Sequence, residues 1–262
     1  MQVYEPHSDA YFDVTVNGPS NGPLVILIHG SLDRASGMAR LSRVCSRTRQ
    51  VARFDRRGYS DRWEHPGPMN VEGNVDDIAA IIGGGSAILI GHSYGGQIAL
   101  ATAARLPDQI QGVSTYETPL SWMSWWPAHT AGAAGVNAGP ANAAEQFMIR
   151  MIGLPRWESL PERTKTERRR EGATLVGELK ALRVGPSWNP ADIQCQVICG
   201  VGSRAKDHHK KAVSWLVEEI QFATSTVIED ADHGAHMSHP EEFYAQLIEP
   251  HVQGTGTLTE IS

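Results

Sequence analysis

Short apolar runs alternate with stretches of helical periodicity along most of the chain. Leu24–Ile28 is a continuous apolar run, and residues 86–90 consist of one serine followed by four apolar residues. Such runs are typical of strands buried on both faces of a parallel sheet. In Val71–Ile82, apolar residues instead recur every three or four positions, which predicts a helix. Similar patterns predict strands at 50–54, 111–116, 196–199 and 225–228, and helices at 35–46, 94–106, 210–221 and 240–247. This alternation predicts a mostly parallel, doubly wound α/β sheet.

The alternation is interrupted between residues 121 and 190. Five of the seven tryptophans lie in this stretch, together with loops rich in Gly, Ala and Pro and helical pieces at 141–152 and 161–184. We interpret it as a helical cap over the carboxyl edge of the sheet, where such sheets bind ligands. The chain then divides into a first core part (1–120), an inserted helical cap (121–190) and a second core part (191–262).

Residues 10–16 alternate between apolar and polar, which predicts an antiparallel edge strand.

The charge and composition of the chain argue against several classes of binding partner. The net charge is −6 and no basic stripe is present, which argues against nucleic acid and anionic membranes as partners. No stretch approaches the roughly 18 apolar residues of a membrane span, and the first residues lack a signal-peptide pattern. On one strand, Cys195 and Cys199 would lie about 13 Å apart, too far for a disulfide. We therefore expect reduced thiols and a cytoplasmic location. The expected partner is a small-molecule substrate, and the sequence gives no indication of oligomeric state.

The sequence of residues 91–95, Gly-His-Ser-Tyr-Gly, lies between a predicted buried strand and a predicted helix. A serine in such a sharp strand–helix turn needs small neighbours, and its hydroxyl stands exposed above the sheet beside helix amides. We therefore predict that Ser93 is a nucleophile. The sequence 29–31, His-Gly-Ser, follows another buried strand, and we expect the N–H groups of Ser31 and Tyr94 to form an oxyanion hole. In this interpretation the side chain of His29 only shapes the loop.

Four segments together resemble the α/β-hydrolase superfamily, in its cap-bearing serine hydrolase branch. They lie in the family's order and span Leu24 to Phe243, which is nearly all of the chain outside the cap. The segments are His-Gly-Ser at 29–31, Asp-Arg-Arg-Gly-Tyr-Ser at 55–60, Gly-His-Ser-Tyr-Gly-Gly at 91–96 and Asp-His-Gly-Ala-His-Met-Ser-His-Pro-Glu-Glu-Phe at 232–243. By the same resemblance, segment 55–60 is a structural turn whose arginines hold loops.

The resemblance implies that His233 is the base that accepts the proton of the serine. His236 and His239 compete for this role, and the spacing of the three histidines also suggests a metal site. Nothing else in the sequence completes a metal-ligand pattern. We therefore expect loop or helix-cap roles for His236 and His239, with no metal and no cofactor.

The acid departs from the usual pattern of the superfamily. Ser203 occupies the position where most relatives carry Asp, and two carboxylates offer a substitute. Glu117 ends the strand after the nucleophile helix, a position from which a minority of the superfamily, including some haloalkane dehalogenases, takes its acid. This choice keeps the chain order Ser…Glu…His. Asp207 is the alternative acid, at an expected helix N-cap where Asp also serves structure alone; a third possibility is that no acid is present.

A serine nucleophile favours acyl chemistry over the alkyl-ester chemistry of relatives with an Asp nucleophile. We therefore expect a hydrolase that cleaves a small, fairly apolar ester or lactone through an acyl-enzyme. Trp122, Trp125 and Trp126 are interpreted either as an acyl pocket or as packing of the cap. Two alternatives stay open: a C–C hydrolase, acyltransferase or cofactor-free oxygenase on the same fold, and a ligand-binding or receptor-like protein with weak turnover.

Overall fold

A computed structural model describes residues 1–6, 8, 10–65, 67, 70–128 and 139–253. These residues form an eight-stranded sheet in the order β1-β2-β4-β3-β5-β6-β7-β8. The strands are β1 (Gln2–Tyr4), β2 (Tyr11–Asn17), β3 (Leu24–Ile28), β4 (Val51–Phe54), β5 (Ala87–His92), β6 (Ile110–Tyr116), β7 (Gln196–Gly202) and β8 (Ala223–Ile228). The β1–β2 and β2–β4 pairs are antiparallel. Every other neighbouring pair of the sheet is parallel. The mostly parallel α/β sheet expected from the sequence is confirmed.

Helices cover both faces of the sheet. They are α1 (Ala39–Cys45), α2 (Val71–Ile82), α3 (Tyr94–Arg105), α4 (Pro140–Ile152), α5 (Leu154–Glu158), α6 (Glu162–Arg170), α7 (Gly172–Val184), α8 (Asp207–Glu219), α9 (Ala235–Ser238), α10 (Pro240–Leu247) and α11 (Glu249–Gln253). Apolar side chains of α2, α3 and α8 fill one core cluster, and those of α1, α10 and α11 fill the other. This two-sided burial explains why β3 and β5 are continuous apolar runs.

The parallel strands bring distant chain segments to one edge of the sheet. Ile28 of β3 pairs with Gly91 of β5, and His92 of β5 pairs with Tyr116 of β6. The residues that follow these three strands therefore emerge side by side. This edge holds the segments that the sequence singles out for chemistry.

Helices α4 and α7 reach the loops at this edge. Ala144 of α4 and Leu175 of α7 share a small buried cluster with Leu32, which follows β3, and Tyr59, which follows β4. The segment between β6 and β7, which contains α4 and α7, therefore packs against the loops that follow β3 and β4.

One expectation from the sequence is wrong, and a second needs refinement. The strand predicted at 10–16 is not at the edge, because β1, too short for periodicity to reveal, pairs with it along Gln2–Tyr4. The helical stretch predicted at 161–184 is helical over most of its length, but it consists of two helices, α6 and α7, which meet at Glu171. Gly172 packs so closely on α4 that a Cβ there would lie 1.9 Å from the carbonyl oxygen of Pro140. The break between α6 and α7 therefore lies where the start of α7 packs on the start of α4.

Two further features concern the thiols and the helices. Cys45 and Cys199 are buried, Cys195 is half-buried, and all three are free thiols. Burial raises the pKa of the Cys199 thiol to about 12, so it stays protonated. Within the described ranges, no helix has both the length and the apolar character needed to cross a bilayer.

Candidate active site

Ser93 occupies a strained turn between β5 and α3. Its backbone angles are φ 52° and ψ −122°, in a region that residues other than glycine rarely adopt. Its amide donates a 2.8 Å hydrogen bond to the carbonyl of Tyr116. A Cβ on Gly91 would lie 2.4 Å from the carbonyl oxygen of Gly95, and one on Gly95 would lie 2.2 Å from that of Ile28. The turn therefore requires glycine on both sides of the serine, as its sequence indicates.

His233 and Glu117 meet directly at the carboxyl edge. The Nδ1 atom of His233 lies 2.7 Å from Oε2 of Glu117, whose side chain is only 1% exposed. The second carboxylate oxygen accepts a hydrogen bond of 3.2 Å from the amide of Gly202. Because a carboxylate only accepts, Nδ1 carries the proton and the Nε2 atom of a neutral His233 is left with its lone pair.

Asp207, the alternative acid, lies elsewhere. It is exposed and forms the first residue of α8, after Lys206 at the N-cap, one position later than the sequence suggests. Among the contacts of the described residues, none joins its carboxylate to His233. Ser203, at the usual acid position, accepts a hydrogen bond from the amide of Asp230 and so holds a loop.

His209 is a neighbour of Glu117 that sequence reasoning missed. Its Nε2 lies 4.0 Å from Oε2 of Glu117, and its ring centroid lies 5.3 Å from that of His233. Burial lowers the pKa of His209 to about 2, so its imidazole is neutral beside the carboxylate. The sequence contains eleven histidines, and the periodicity of α8 does not show which of them faces the site.

The loop after β3 lies against the serine. A Cβ on Gly30 would lie 3.0 Å from the Cβ of Ser93. His29 is fully buried: its Nε2 accepts a 3.0 Å bond from the amide of Arg56, and its Nδ1 lies 2.8 Å from the carbonyl of Gly30. Burial lowers the pKa of His29 to about 3, so the ring stays neutral. These contacts shape the loop, as expected for His29.

The amides of Ser31 and Tyr94 are free to donate. In the described part of the chain, neither N–H takes part in a hydrogen bond with the backbone or with a side chain. Two unpaired donors beside a serine are suited to bind a developing oxyanion.

Glu178 of α7 joins the segment between β6 and β7 to the loop after β3, and nothing in the sequence pattern indicated this contact. Its carboxylate accepts hydrogen bonds from the Ser31 hydroxyl at 2.7 Å and the Tyr59 hydroxyl at 2.7 Å. Arg56 completes the cluster with a fully buried ion pair of 2.5 Å to Glu178. Arg56 therefore holds loops, as the resemblance implies, and so does Arg57 through its two bonds to Asp77.

The three tryptophans after β6 pack against the core. The Trp126 ring lies 4.7 Å from His208 and 5.5 Å from His209, between centroids. Trp122 contacts Trp188 at 6.3 Å, and Trp125 contacts Trp126 at 6.1 Å. Trp126 contacts His209, and His209 lies next to Glu117, so His209 stands between the tryptophans and Glu117.

The three histidines spaced three apart do not converge. His233 contacts Glu117, while His236 turns toward Asp33, with 3.5 Å between Nε2 and Oδ2. His239 directly precedes α10, and its Nδ1 lies 2.8 Å from the hydroxyl of Ser238. Their spacing therefore does not form a metal site from these three rings.

Comparison with known proteins identifies similar proteins that are named as a lipase, an esterase and an enol-lactonase. The profile of the alpha/beta hydrolase family matches residues 25–246. Lipase LipV of Mycobacterium tuberculosis is 32% identical over 96 residues, which cover 36% of this chain and 36% of that protein. The alignment thus spans about a third of the relative's length.

Solved structures agree over nearly the whole fold. A thermophilic esterase from Thermogutta terrifontis matches with a TM-score of 0.72 at 19% identity, covering 98% of this chain and 99% of that chain. An enol-lactonase from Burkholderia xenovorans matches with a TM-score of 0.73 at 18% identity, covering 97% and 100%. At these identities the likeness concerns the fold, while the profile match covers most of the sequence. The chain belongs to the alpha/beta hydrolase family.

Proposed function

We propose that this protein is a serine hydrolase that cleaves a small, fairly apolar carboxylic ester or lactone through an acyl-enzyme on Ser93. The observation that carries the proposal is the 2.7 Å contact between His233 Nδ1 and Glu117 Oε2. This contact supports Glu117 as a buried carboxylate that would orient the imidazole and stabilise its protonated form.

The proposed reaction assigns one role to each of these groups. The Ser93 hydroxyl attacks the carbonyl carbon while Nε2 of His233 accepts its proton. The amides of Ser31 and Tyr94 donate to the oxygen that becomes negative. Collapse of the intermediate expels the alkoxide, which takes the proton from His233, and leaves an acyl ester on Ser93. Water then repeats the sequence, releasing the acid and restoring the hydroxyl; from a lactone, alcohol and acid leave as one molecule.

The expected apolar character of the substrate rests on the tryptophans. Trp122 and Trp125 are half-buried, and Trp126 packs beside His209 next to Glu117. Aromatic side chains near the groups that support a nucleophile favour an apolar acyl group. The names lipase, esterase and enol-lactonase among the relatives are consistent with this class.

The alternative of a binding protein loses its main support. It rested on the missing Asp at Ser203, and Glu117 offers a buried carboxylate in its place. The C–C hydrolase, acyltransferase and oxygenase alternatives use the same groups, and no contact in the described residues favours them.

Labelling and turnover together test the proposal. A fluorophosphonate probe should label the wild-type protein and not Ser93→Ala, and a panel of short-chain p-nitrophenyl esters and lactones should be hydrolysed by wild type alone. Labelling that persists in Ser93→Ala would exclude Ser93 as the nucleophile. Labelling of Ser93 without turnover of any panel member would favour the C–C or binding alternatives.

A further inference from the structure

A second group of chemically reactive side chains lies beside the proposed triad. Asp33 follows β3, His92 precedes Ser93, and His236 belongs to α9. One ligand atom from each of the three lies within 4.8 Å of the other two. We call these residues the Asp33–His92–His236 cluster. Its members come from three separate segments, so the fold and not the local sequence brings them together.

The contacts of His92 leave one nitrogen bare. Its Nε2 lies 2.8 Å from the carbonyl oxygen of His233, and since a carbonyl only accepts, Nε2 carries the proton. Nδ1 therefore presents a lone pair, and it is buried without a hydrogen-bond partner. A histidine that donates one nitrogen to a backbone carbonyl and offers the other is the usual form of a metal ligand.

His236 and Asp33 are also left unsatisfied. His236 is 1% exposed, and neither of its ring nitrogens has a hydrogen-bond partner. The Oδ2 atom of Asp33 is buried without a partner as well, 3.5 Å from Nε2 of His236. Buried polar atoms are nearly always paired, so unpaired ligand atoms of three residues that lie within 4.8 Å of one another call for a bound ion or water.

The charge and space around the cluster favour a cation. Within the described part of the chain, no Lys or Arg lies within ion-pair distance of Asp33, whose carboxylate faces His236 instead. A Cβ on Gly30 would lie 3.2 Å from Nδ1 of His92, and one on Gly37 would lie 2.2 Å from Oδ1 of Asp33. Glycine at both positions leaves room around the carboxylate and the bare nitrogen.

We propose that Asp33, His92 and His236 bind a divalent transition-metal ion of the Zn²⁺ class. Two imidazoles and one carboxylate are donors that Zn²⁺ and Co²⁺ accept, with a fourth position left for water. Donor atoms around such an ion lie roughly 3.3 Å apart, as follows from metal–ligand distances of about 2.0–2.2 Å. Binding therefore requires a small inward movement, which the half-buried side chain of Asp33 permits.

The ion would join the loop after β3, the serine turn and the loop that carries His233. The Nε2 atom of His92 bonds the carbonyl of His233, so the proposed metal site is joined to the backbone of the base. The proposal does not depend on the hydrolase activity, since its measurements are of metal binding.

Titration of the chelator-treated protein with Zn²⁺, followed by calorimetry, tests the proposal. We expect one equivalent to bind, and Co²⁺ to give the visible absorption of a low-symmetry site with nitrogen ligands. His236→Gln and Asp33→Asn should each weaken binding by at least about 100-fold. Circular dichroism and thermal unfolding without metal establish that both variants are folded.

Two control variants separate this cluster from its neighbours. His239→Gln removes a nearby histidine, and His209→Gln removes one member of the Glu117–His209–His233 group, whose ligand atoms also lie close together. Both controls should bind Zn²⁺ as wild type does. Absence of binding at micromolar Zn²⁺ would overturn the proposal, because the unpaired atoms would then face only water. Binding that is lost in His209→Gln and kept in His236→Gln would place the ion at the triad instead.

Discussion

Glu117→Gln is the substitution that most sharply separates Glu117 from Asp207 as the acid. Oε1 of Glu117 accepts from the amide of Gly202, and Oε2 faces Nδ1 of His233. In the glutamine variant, the amide oxygen is held toward Gly202, so the NH₂ group turns toward His233. Two donors then meet, and the imidazole is stabilised as the tautomer with its proton on Nε2. That tautomer has no lone pair to accept the proton of Ser93.

The expected loss can be estimated from this geometry. A carboxylate-to-amide change that imposes the wrong tautomer on a catalytic histidine costs about 10⁴ in kcat. We expect a loss of about 10³–10⁴, because Glu117 is almost fully buried and no other carboxylate contacts His233 within the described residues. The loss corresponds to about 4–5.4 kcal/mol of transition-state stabilisation. Asp207→Asn should stay within about twofold, since surface changes away from a site have small effects.

Pre-steady-state kinetics measures the effect at the right step. The burst of p-nitrophenol from a short-chain ester reports acyl-enzyme formation, and circular dichroism establishes that both variants fold. A loss smaller than tenfold in Glu117→Gln would refute the role of Glu117. A larger loss in Asp207→Asn than in Glu117→Gln would move the acid to α8.

Three further substitutions test other contacts. Ser31→Ala should keep kcat/KM within about tenfold, because the proposed donor is the backbone amide, whereas losing such a donor costs about 10²–10³; a loss in the latter range would contradict that assignment. Glu178→Gln should lower the free energy of unfolding by about 3–5 kcal/mol, since it leaves Arg56 buried without its charged partner. Urea unfolding measures this change, and a loss below about 1 kcal/mol would contradict it. The free energy of unfolding should also fall as the pH is lowered from 7 to 5, because burial lowers the pKa of His251 to about 4 and only the unfolded chain takes up that proton. His251→Gln should flatten this dependence by up to about 1.4 kcal/mol per pH unit relative to His239→Gln, and an equal slope in both variants would show that burial of His251 does not cause it.

The features that the sequence predicted well are local in the chain. The turn at Ser93 is encoded by one buried strand, two flanking glycines and one helix, all within about 20 residues. The position of Glu117 at the site could also be predicted from the sequence, because the carboxyl ends of neighbouring parallel strands meet at the same edge. Topology, the resemblance to the superfamily and the chain order Ser…Glu…His together favoured Glu117 over Asp207.

The features that the sequence did not reveal depend on packing between distant segments. Glu178 lies on α7, and its contact with Ser31 joins residues 147 positions apart. Nothing in the helical periodicity of residues 161–184 shows that a buried glutamate there meets an arginine from another loop. The cluster of Asp33 and His236 escaped for the same reason, since its members lie about 200 positions apart in the chain.

Mass spectrometry of the protein quenched during turnover tests the central claim most directly. With a short-chain p-nitrophenyl ester, intact protein should gain the mass of one acyl group, and digestion should locate that group on the peptide that contains Ser93. The adduct should be absent from Ser93→Ala and should accumulate far more slowly in Glu117→Gln. Hydrolysis without any adduct, or an acyl group on a residue other than Ser93, would contradict the account.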